Sequence, residues 1–304
     1  MLDQVKVRDF CGSRKIFFTI SSILMVVVLL CSFIFGVQIS IEFKGGTLST
    51  YSYSGTISES DIASLAKDYL GTPVNVQTGE AFTGEKELTF TLSFSMEKAF
   101  SSEMQDELLQ KLQEKYPDSN IQALETNDVA AKSGKKFLAK CLVAAIFAAI
   151  VLILYISWRF KRISGWSAGI FAVVALLHDL VIVFGTFVIC GFEIDSNFMA
   201  VILTILGYSV KDTIVIYDRI RENQNLMPAG TKLTELVNVS LSQTMRRTVR
   251  TSITTITAML IVSLLAVVNN VSTILSFSIP MTVGMLSGCY SSLCLAPMLW
   301  TAWK

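Results

Sequence analysis

Six long apolar stretches constrain this chain more than any other feature. A helix that crosses a bilayer needs about 20 mostly apolar residues. Ile16–Val37, Phe137–Trp158, Trp166–Phe192, Phe198–Tyr217, Val249–Val268 and Ile274–Trp300 each meet that requirement. Of 304 residues, 52% are hydrophobic and only 16% charged, against about 25% charged in a soluble domain. The expected fold is therefore a polytopic α-helical membrane protein with six transmembrane helices. The first stretch is too long for the h-region of a signal peptide, and no small-residue cleavage site follows it, so it is read as a retained helix. Pro280 and Pro297 predict kinked or frayed ends for the last one.

Orientation follows from Lys and Arg placement. Lys6, Arg8, Arg14 and Lys15 precede the first helix, and Arg159, Lys161 and Arg162 join the second to the third. Arg219, Arg221, Lys232, Arg246, Arg247 and Arg250 lie between or beside the fourth and fifth. The opposite turns, Gly191–Asn197 and Asn269–Thr273, carry Glu193 and Asp195 but no Lys or Arg. This predicts cytoplasmic N- and C-termini, with residues 1–15 and the loop 218–248 on the cytoplasmic side. Residues 38–136 then form a domain on the outer side.

In that domain Gln38–Lys44 and Leu48–Tyr53 alternate as strands do, around a Gly45-Gly46 turn. Ser58–Leu70 reads as a helix, with Ser58 as N-cap and Asp61 as a short-armed capping-box partner. Val74–Gln77, Leu88–Phe94 and Asn120–Glu125 read as strands, and Met96–Lys115 as a second amphipathic helix. The pattern ββαββαβ predicts a small α+β, ferredoxin-like extracytoplasmic domain. It holds no catalytic cluster, so binding rather than covalent chemistry is expected of it.

Composition also excludes function classes. A net charge of +1 argues against nucleic-acid binding, which needs a basic surface. The six cysteines all lie in or beside apolar segments and the chain has one histidine. That is neither a disulfide framework nor a zinc site, and no metal or cofactor is expected.

Ionisable groups inside apolar spans are costly and mark function by default. His178-Asp179 stand at the centre of the third span, and Lys211-Asp212 lie in the fourth. Asp212 is six residues before Asp218, roughly 9 Å along the helix. The fifth span is entered through Arg246, Arg247 and Arg250, then Thr251, Ser252, Thr254, Thr255 and Thr257. A carboxylate in low dielectric favours its protonated form, and a nearby cation reverses that. An aspartate that meets an arginine in only one conformation therefore changes proton affinity with conformation, which ion-driven mechanical work requires. Asp212 with Arg247 is the pair chosen. The structural alternatives are an ion pair that fixes helix packing and, for His178-Asp179, an interhelical polar clasp. Adjacent residues on a helix point about 100° apart, so Lys211 is expected to face elsewhere.

Several segments resemble the SecF-type members of the SecD/SecF protein-export family. Phe43-Lys-Gly-Gly-Thr47 resembles its FxGGT motif, and Leu177-His-Asp-Leu180 its HD motif. Gly207-Tyr-Ser-Val-Lys-Asp-Thr213 with Tyr217-Asp-Arg-Ile-Arg-Glu-Asn223 is the most specific stretch. Gln243–Val249 supplies the fifth-helix arginine at Arg247, and Gly284–Ser292 resembles the last-helix signature. Two places depart: Lys211 stands where the family usually has Asn, and Leu124–Gly134 lacks its Val-Gly-Pro run. The resemblance implies an RND-like half-unit of the bacterial plasma (inner) membrane that assists Sec-dependent export using the proton motive force. The implied partners are a SecD-like subunit, the SecYEG channel, translocating unfolded polypeptide and membrane lipid. The coupling ion would be proton or sodium, with no enzymatic step. Asp212, Arg247, His178 and Asp179 would form the proton-coupling group, and Thr251, Ser252, Thr254 and Thr255 a proton path. Gly45, Gly46 and Thr47 would form the motif turn. The competing readings are an RND-like exporter of small molecules or lipid, and a passive scaffold.

Overall fold

A computed structural model describes residues 7–80, 88–95, 100–129, 131–161, 165–228, 230–269 and 271–304. Lys6, Arg162 and the expected helical residues 96–99 lie outside these ranges. Among the described residues, six helices are long and apolar enough to cross a membrane: α1 (Arg14–Phe35), α5 (Ala131–Arg159), α6 (Gly165–Cys190), α7 (Ser196–Leu226), α8 (Leu233–Val268) and a last helix. The last helix consists of α9 (Ser272–Tyr290), a π-helical segment Ser291–Leu295 and α10 (Ala296–Trp303). It runs through Pro280 as helix, and its irregularity is the π-segment just before Pro297 rather than frayed ends.

Burial separates core from periphery. Between 44% and 61% of the apolar stretches of α6, α7 and the last helix is buried, against 0–11% for α1, α5 and α8. Lipid tails are as apolar as leucine, so helices associate through close packing and polar contacts, and small residues let backbones approach. Gly284 and Gly288 serve that end. A Cβ on Gly284 would lie 2.7 Å from Ile205 Cδ1 and 2.8 Å from Val183, and one on Gly288 would lie 3.2 Å from Ser209 Cβ. The weak Gly-x-x-x-Gly pattern thus marks the contact of the last helix with α6 and α7.

The segment expected as a loop from 218 to 248 is mostly helix. Both α7 and α8 continue past their apolar stretches, leaving a short link from Met227 to Lys232. Hydropathy marks only the part of a helix that lipid surrounds. The polar continuation is held by Arg221–Asp218 at 2.8 Å and by Asn223, whose Nδ2 donates to Ser240 Oγ and Gln243 Oε1, both at 2.8 Å. Asn238 Oδ1 accepts from the N–H groups of Phe10 and Cys11 at 3.0 Å, which ties the N-terminal segment to α8.

At the other end of the bundle sits the sheet domain, with β1 (Gly46–Tyr53), α3 (Glu59–Leu70), β2 (Val74–Glu80), β3 (Leu88–Phe94), α4 (Ser102–Lys115) and β4 (Gln122–Val129). The strands lie in the order β2-β3-β1-β4 with every neighbour antiparallel. Period-2 side chains from β1 and β3 (Tyr51, Phe90, Leu92, Phe94) bury against Ile62 and Ala66 of α3 and Leu108 and Leu112 of α4. The order is therefore βαββαβ. The strand expected over Gln38–Lys44 is absent: Ile39 makes one parallel bridge to Ile194, and Ile41–Lys44 (α2) is a single helical turn. Ile39, Ile41 and Phe43 do alternate, but Phe43 is needed in the helix bundle rather than on a sheet face. Ser58 precedes α3, yet its hydroxyl bonds Ser60 and no capping bond forms. At α4, Ser101 caps Met104 N at 3.4 Å.

Candidate functional site

Asp179 is the polar hub of the bundle. It lies mid-way along α6, is fully buried, and accepts hydroxyl hydrogen bonds from three serines. Ser209 of α7 donates to Oδ2 at 2.8 Å, Ser287 of α9 to Oδ1 at 2.6 Å, and Ser291 of the π-segment to Oδ2 at 2.6 Å. His178 Nδ1 stands 3.4 Å from Oδ1. Ser287 and Ser291 are four apart and share a helix face. The π-segment lets the next residue, Ser292, reach α7 as well, where it donates to Ser209 O at 3.1 Å and lies 3.0 Å from the Thr213 hydroxyl. π-Segments recur at functional sites, and here one aims two consecutive hydroxyls at two partners. Such a carboxylate joins α6, α7 and the last helix at a single point.

Asp212, one residue before Thr213, is buried on α7 (3% exposed), and its Oδ2 has no hydrogen-bond partner among the described residues. Lys211 does not face away as its helical position predicts. Its long side chain turns back, placing Nζ 3.8 Å from Asp212 Oδ1 and 4.5 Å from the centroid of the Tyr208 ring. Tyr208 in turn donates to Ser252 at 3.3 Å and lies 2.9 Å from the Thr255 hydroxyl.

Arg247 is exposed on α8 and, among the described residues, forms no ion pair with Asp212. It lines a cleft of about 350 Å³ with Val215, Asp218, Glu222 and Gln243. The hydroxyl-rich face of α8 divides. Ser252 and Thr255 turn toward Tyr208, whereas Thr251 and Thr254 are exposed and donate to backbone carbonyls of their own helix.

Gly45, Gly46 and Thr47 lie far along the chain from these groups, at the junction of sheet domain and bundle. Gly45 (φ 86°) and Gly46 (φ 153°) occupy backbone space that favours glycine, and a Cβ on Gly46 would run into the Phe94 carbonyl. Thr47 donates to Asp128 Oδ1 at 2.6 Å, tying β1 to β4. Just before the turn, Phe43 stacks on Phe137 at 5.7 Å and joins the cluster holding Val183, Phe187 and Ile205. Glu42 accepts from Ser196 N at 3.0 Å, at the start of α7. Gly134 of α5 fits against this turn, since a Cβ there would lie 2.5 Å from Glu42 O. The motif turn is thus a short rigid joint between the two parts of the molecule.

Residue-type reasoning did not single out Ser209, Ser287, Ser291, Ser292, Tyr208 or Glu42. Serines in apolar helices usually bond back to their own carbonyls, so only a carboxylate opposite them makes them conspicuous. The available signal was the spacing of Gly284, Ser287, Gly288 and Ser291, which puts small and hydroxyl residues on one stripe.

Comparison with known proteins agrees with this architecture. Residues 108–304 match the family described as protein export membrane protein SecD/SecF, C-terminal. The chain is 31% identical to protein translocase subunit SecF of Thermobaculum terrenum, over 97% of this chain and 94% of that one. It is 33% identical to protein translocase subunit SecDF of Bacillus subtilis, over 97% of this chain but 38% of that one. The crystal structure of SecDF from Thermus thermophilus, a translocon-associated membrane protein, superposes with a TM-score of 0.79 at 28% identity. It covers all of this chain and 39% of its own, so the present chain spans well under half of the SecDF proteins it matches.

Proposed function

This chain belongs to the SecD/SecF family of protein-export membrane proteins and has an accessory role in protein export, and on that premise we propose that it converts an ion gradient into movement of its sheet domain. It is a multi-pass membrane protein. The matched region forms part of longer chains named SecDF, which supports a SecD-like partner supplying the other half. We place it in the bacterial plasma membrane with cytoplasmic termini, beside a SecYEG channel and acting on unfolded polypeptide. The strand order and antiparallel pairing support reading the sheet domain as ferredoxin-like. The role is mechanical rather than enzymatic.

The observation that carries this reading is Asp212. Its carboxylate is buried, and among the described residues one of its oxygens has no hydrogen-bond partner and the exposed arginine on the next helix forms no ion pair. An ion-driven cycle needs a group whose proton affinity differs between two helix arrangements. Closing Arg247 onto Asp212 favours the carboxylate, and opening it favours the acid. Lys211 and Tyr208 extend this group toward Ser252 and Thr255. His178 and Asp179 form the fixed side of the machinery, pinning α6 and the last helix against α7 while α8 moves. Movement of α7 reaches the sheet domain through Ser196, Glu42 and the glycine joint. The proton is the preferred ion, because one carboxylate with one arginine is a poor cage for sodium.

The test is Asp212→Asn in cells lacking their own copy, with export followed by pulse-chase under an imposed proton gradient. Export should lose its response to the gradient while membrane insertion and co-purification with a SecD-like chain persist. Normal gradient-dependent export would eliminate Asp212 as the coupling group. Failure to co-purify any SecD-like chain would remove the partner assignment.

A further inference from the structure

Residues 8–11 lie along α8 before the chain enters α1. Thr234, Asn238 and Ser242 are spaced four apart, and so share one stripe of α8. Each takes a bond from the segment. Arg8 N donates to Ser242 Oγ at 2.9 Å, Phe10 N and Cys11 N both donate to Asn238 Oδ1 at 3.0 Å, and Cys11 Sγ donates to Thr234 O at 3.6 Å. Asn238 also gives a bond: its Nδ2 donates to Asp9 Oδ1 at 2.9 Å, the same oxygen that accepts from Gly12 N at 2.8 Å. Phe10 and Cys11 are buried in one cluster with Val237 and Leu241 of α8. One asparagine side chain thus holds residues 9, 10 and 11, using both its acceptor and its donor.

The opposite side of α8 meets α7. Arg247 lies nine residues beyond Asn238, about two and a half turns, which puts it on the reverse face. Gln243 and Ser240, four and seven residues before Arg247, share its face, and both accept from Asn223 of α7 at 2.8 Å. The cytoplasmic part of α8 is therefore held between α7 and the segment. The segment is itself anchored elsewhere. Three residues past Cys11 it becomes α1, where Tyr290 of the last helix donates to Phe17 O at 2.8 Å and lies 3.1 Å from the Ser21 hydroxyl.

A brace behind a helix, fixed to a neighbouring helix, bounds its travel in one direction. We propose that residues 8–11 are a strap that limits how far α8 withdraws from α7, with Asn238 as its positioning residue. The bearing on ion coupling rests on the reading of Asp212 above, since the withdrawal limited is that of Arg247. The strap itself is tested without measuring export.

Cys11 is a native reporter, 8% exposed with its thiol on Thr234 O. The full chain in phosphatidylcholine nanodiscs is pulsed with a maleimide, and modification of Cys11 is followed by mass spectrometry. Asn238→Ala removes three of the bonds, and Cys11 should react about tenfold faster. Asn238→Asp sets a second carboxylate against Asp9 and should act in the same direction. Adding Asp9→Asn to it rebuilds the pair with donor and acceptor exchanged, and labelling should return to within about twofold of the parent. The α7–α8 separation is read by pulsed electron paramagnetic resonance between spin labels on genetically encoded keto side chains at Gln224 and Arg246, both exposed. Asn238→Ala should add a longer-distance population, and the exchanged pair should remove it. If Asn238→Ala does not accumulate, Asp9→Ala, at an exposed position, should speed labelling about two- to fivefold. Unchanged Cys11 labelling would show that Asn238 holds nothing. Faster labelling at an unchanged α7–α8 distance would reduce the strap to a local tether. Either result overturns the proposal, and neither depends on the outcome of Asp212→Asn.

Discussion

Replacing Asp179 by alanine removes the acceptor at which α6, α7 and the last helix meet. Three hydroxyl donors lose their partner, at 2.8, 2.6 and 2.6 Å. Interhelical hydrogen bonds in membranes are worth about 0.6 kcal/mol on average and up to about 1.7, so three amount to roughly 2–5 kcal/mol. Ser291 Oγ already lies 3.3 Å from Gly288 O and can turn back to its own helix. That relief places the expected loss in the lower half of the range, about 2–3 kcal/mol. Asp179→Asn keeps one acceptor oxygen and should cost about half as much. Reversible unfolding of the purified chain in mixed micelles with increasing dodecyl sulfate measures both. The sharper test is a double-mutant cycle with Ser291→Ala, where a shared bond appears as coupling of about 0.5–1.5 kcal/mol. If Asp179→Ala lies within about 0.5 kcal/mol of the parent and the coupling is nil, Asp179 is not the joint described above.

Three further outcomes follow from the packing and the ionisation. Gly284→Leu must displace Ile205 and Val183, at 2.7 and 2.8 Å from a Cβ, and should cost about 1–3 kcal/mol as overpacking. The same unfolding assay reads this, and Ile205→Ala should restore part of it. Gly46→Ala meets the Phe94 carbonyl in a backbone region that disfavours side chains. It should speed proteolytic cleavage between β1 and the bundle, while the membrane helices stay protected. Tyr69 donates to Glu107 at 2.6 Å, which pushes its phenol up to about 12. The stabilisation this bond gives is fully present below the unfolded tyrosine value near 10 and is lost as pH rises through about 12. The difference in tyrosinate absorbance between the parent and Tyr69→Phe should show that late titration, and Glu107→Gln should bring it back toward 10.

What the sequence made legible was whatever depends on local pattern. Lipid selects for unbroken apolar runs, so six helices and their approximate positions follow from hydropathy alone. The period-2 run Leu88–Phe94 became β3 with those bounds. Local pattern failed where a residue answers to a distant partner. Ile39, Ile41 and Phe43 alternate as a strand does, but Phe43 turns into the cluster with Val183 and Phe187, and a helical turn is what carries it there. Lys211 stands about 100° from Asp212 on the helix, yet a four-carbon stem spans that angle and brings Nζ to 3.8 Å. The ionisable residues could be singled out because charge in an apolar span is rare. Their partners could not, because a serine in a membrane helix has a carbonyl of its own to bond, and only the fold determines which serines give that up. Of the hydroxyls near Asp179, Ser209 and Ser287 turn to it outright and Ser291 shares itself between Asp179 and Gly288 O, from two helices that the chain places 30 and 108–112 residues away. The two carboxylates differ in the same way: Asp179 has three hydroxyl donors, whereas Asp212 Oδ2 has no hydrogen-bond partner among the described residues, the difference that the proposed coupling role draws on. If Asp212 changes partners during a cycle, as proposed, it cannot already have them all.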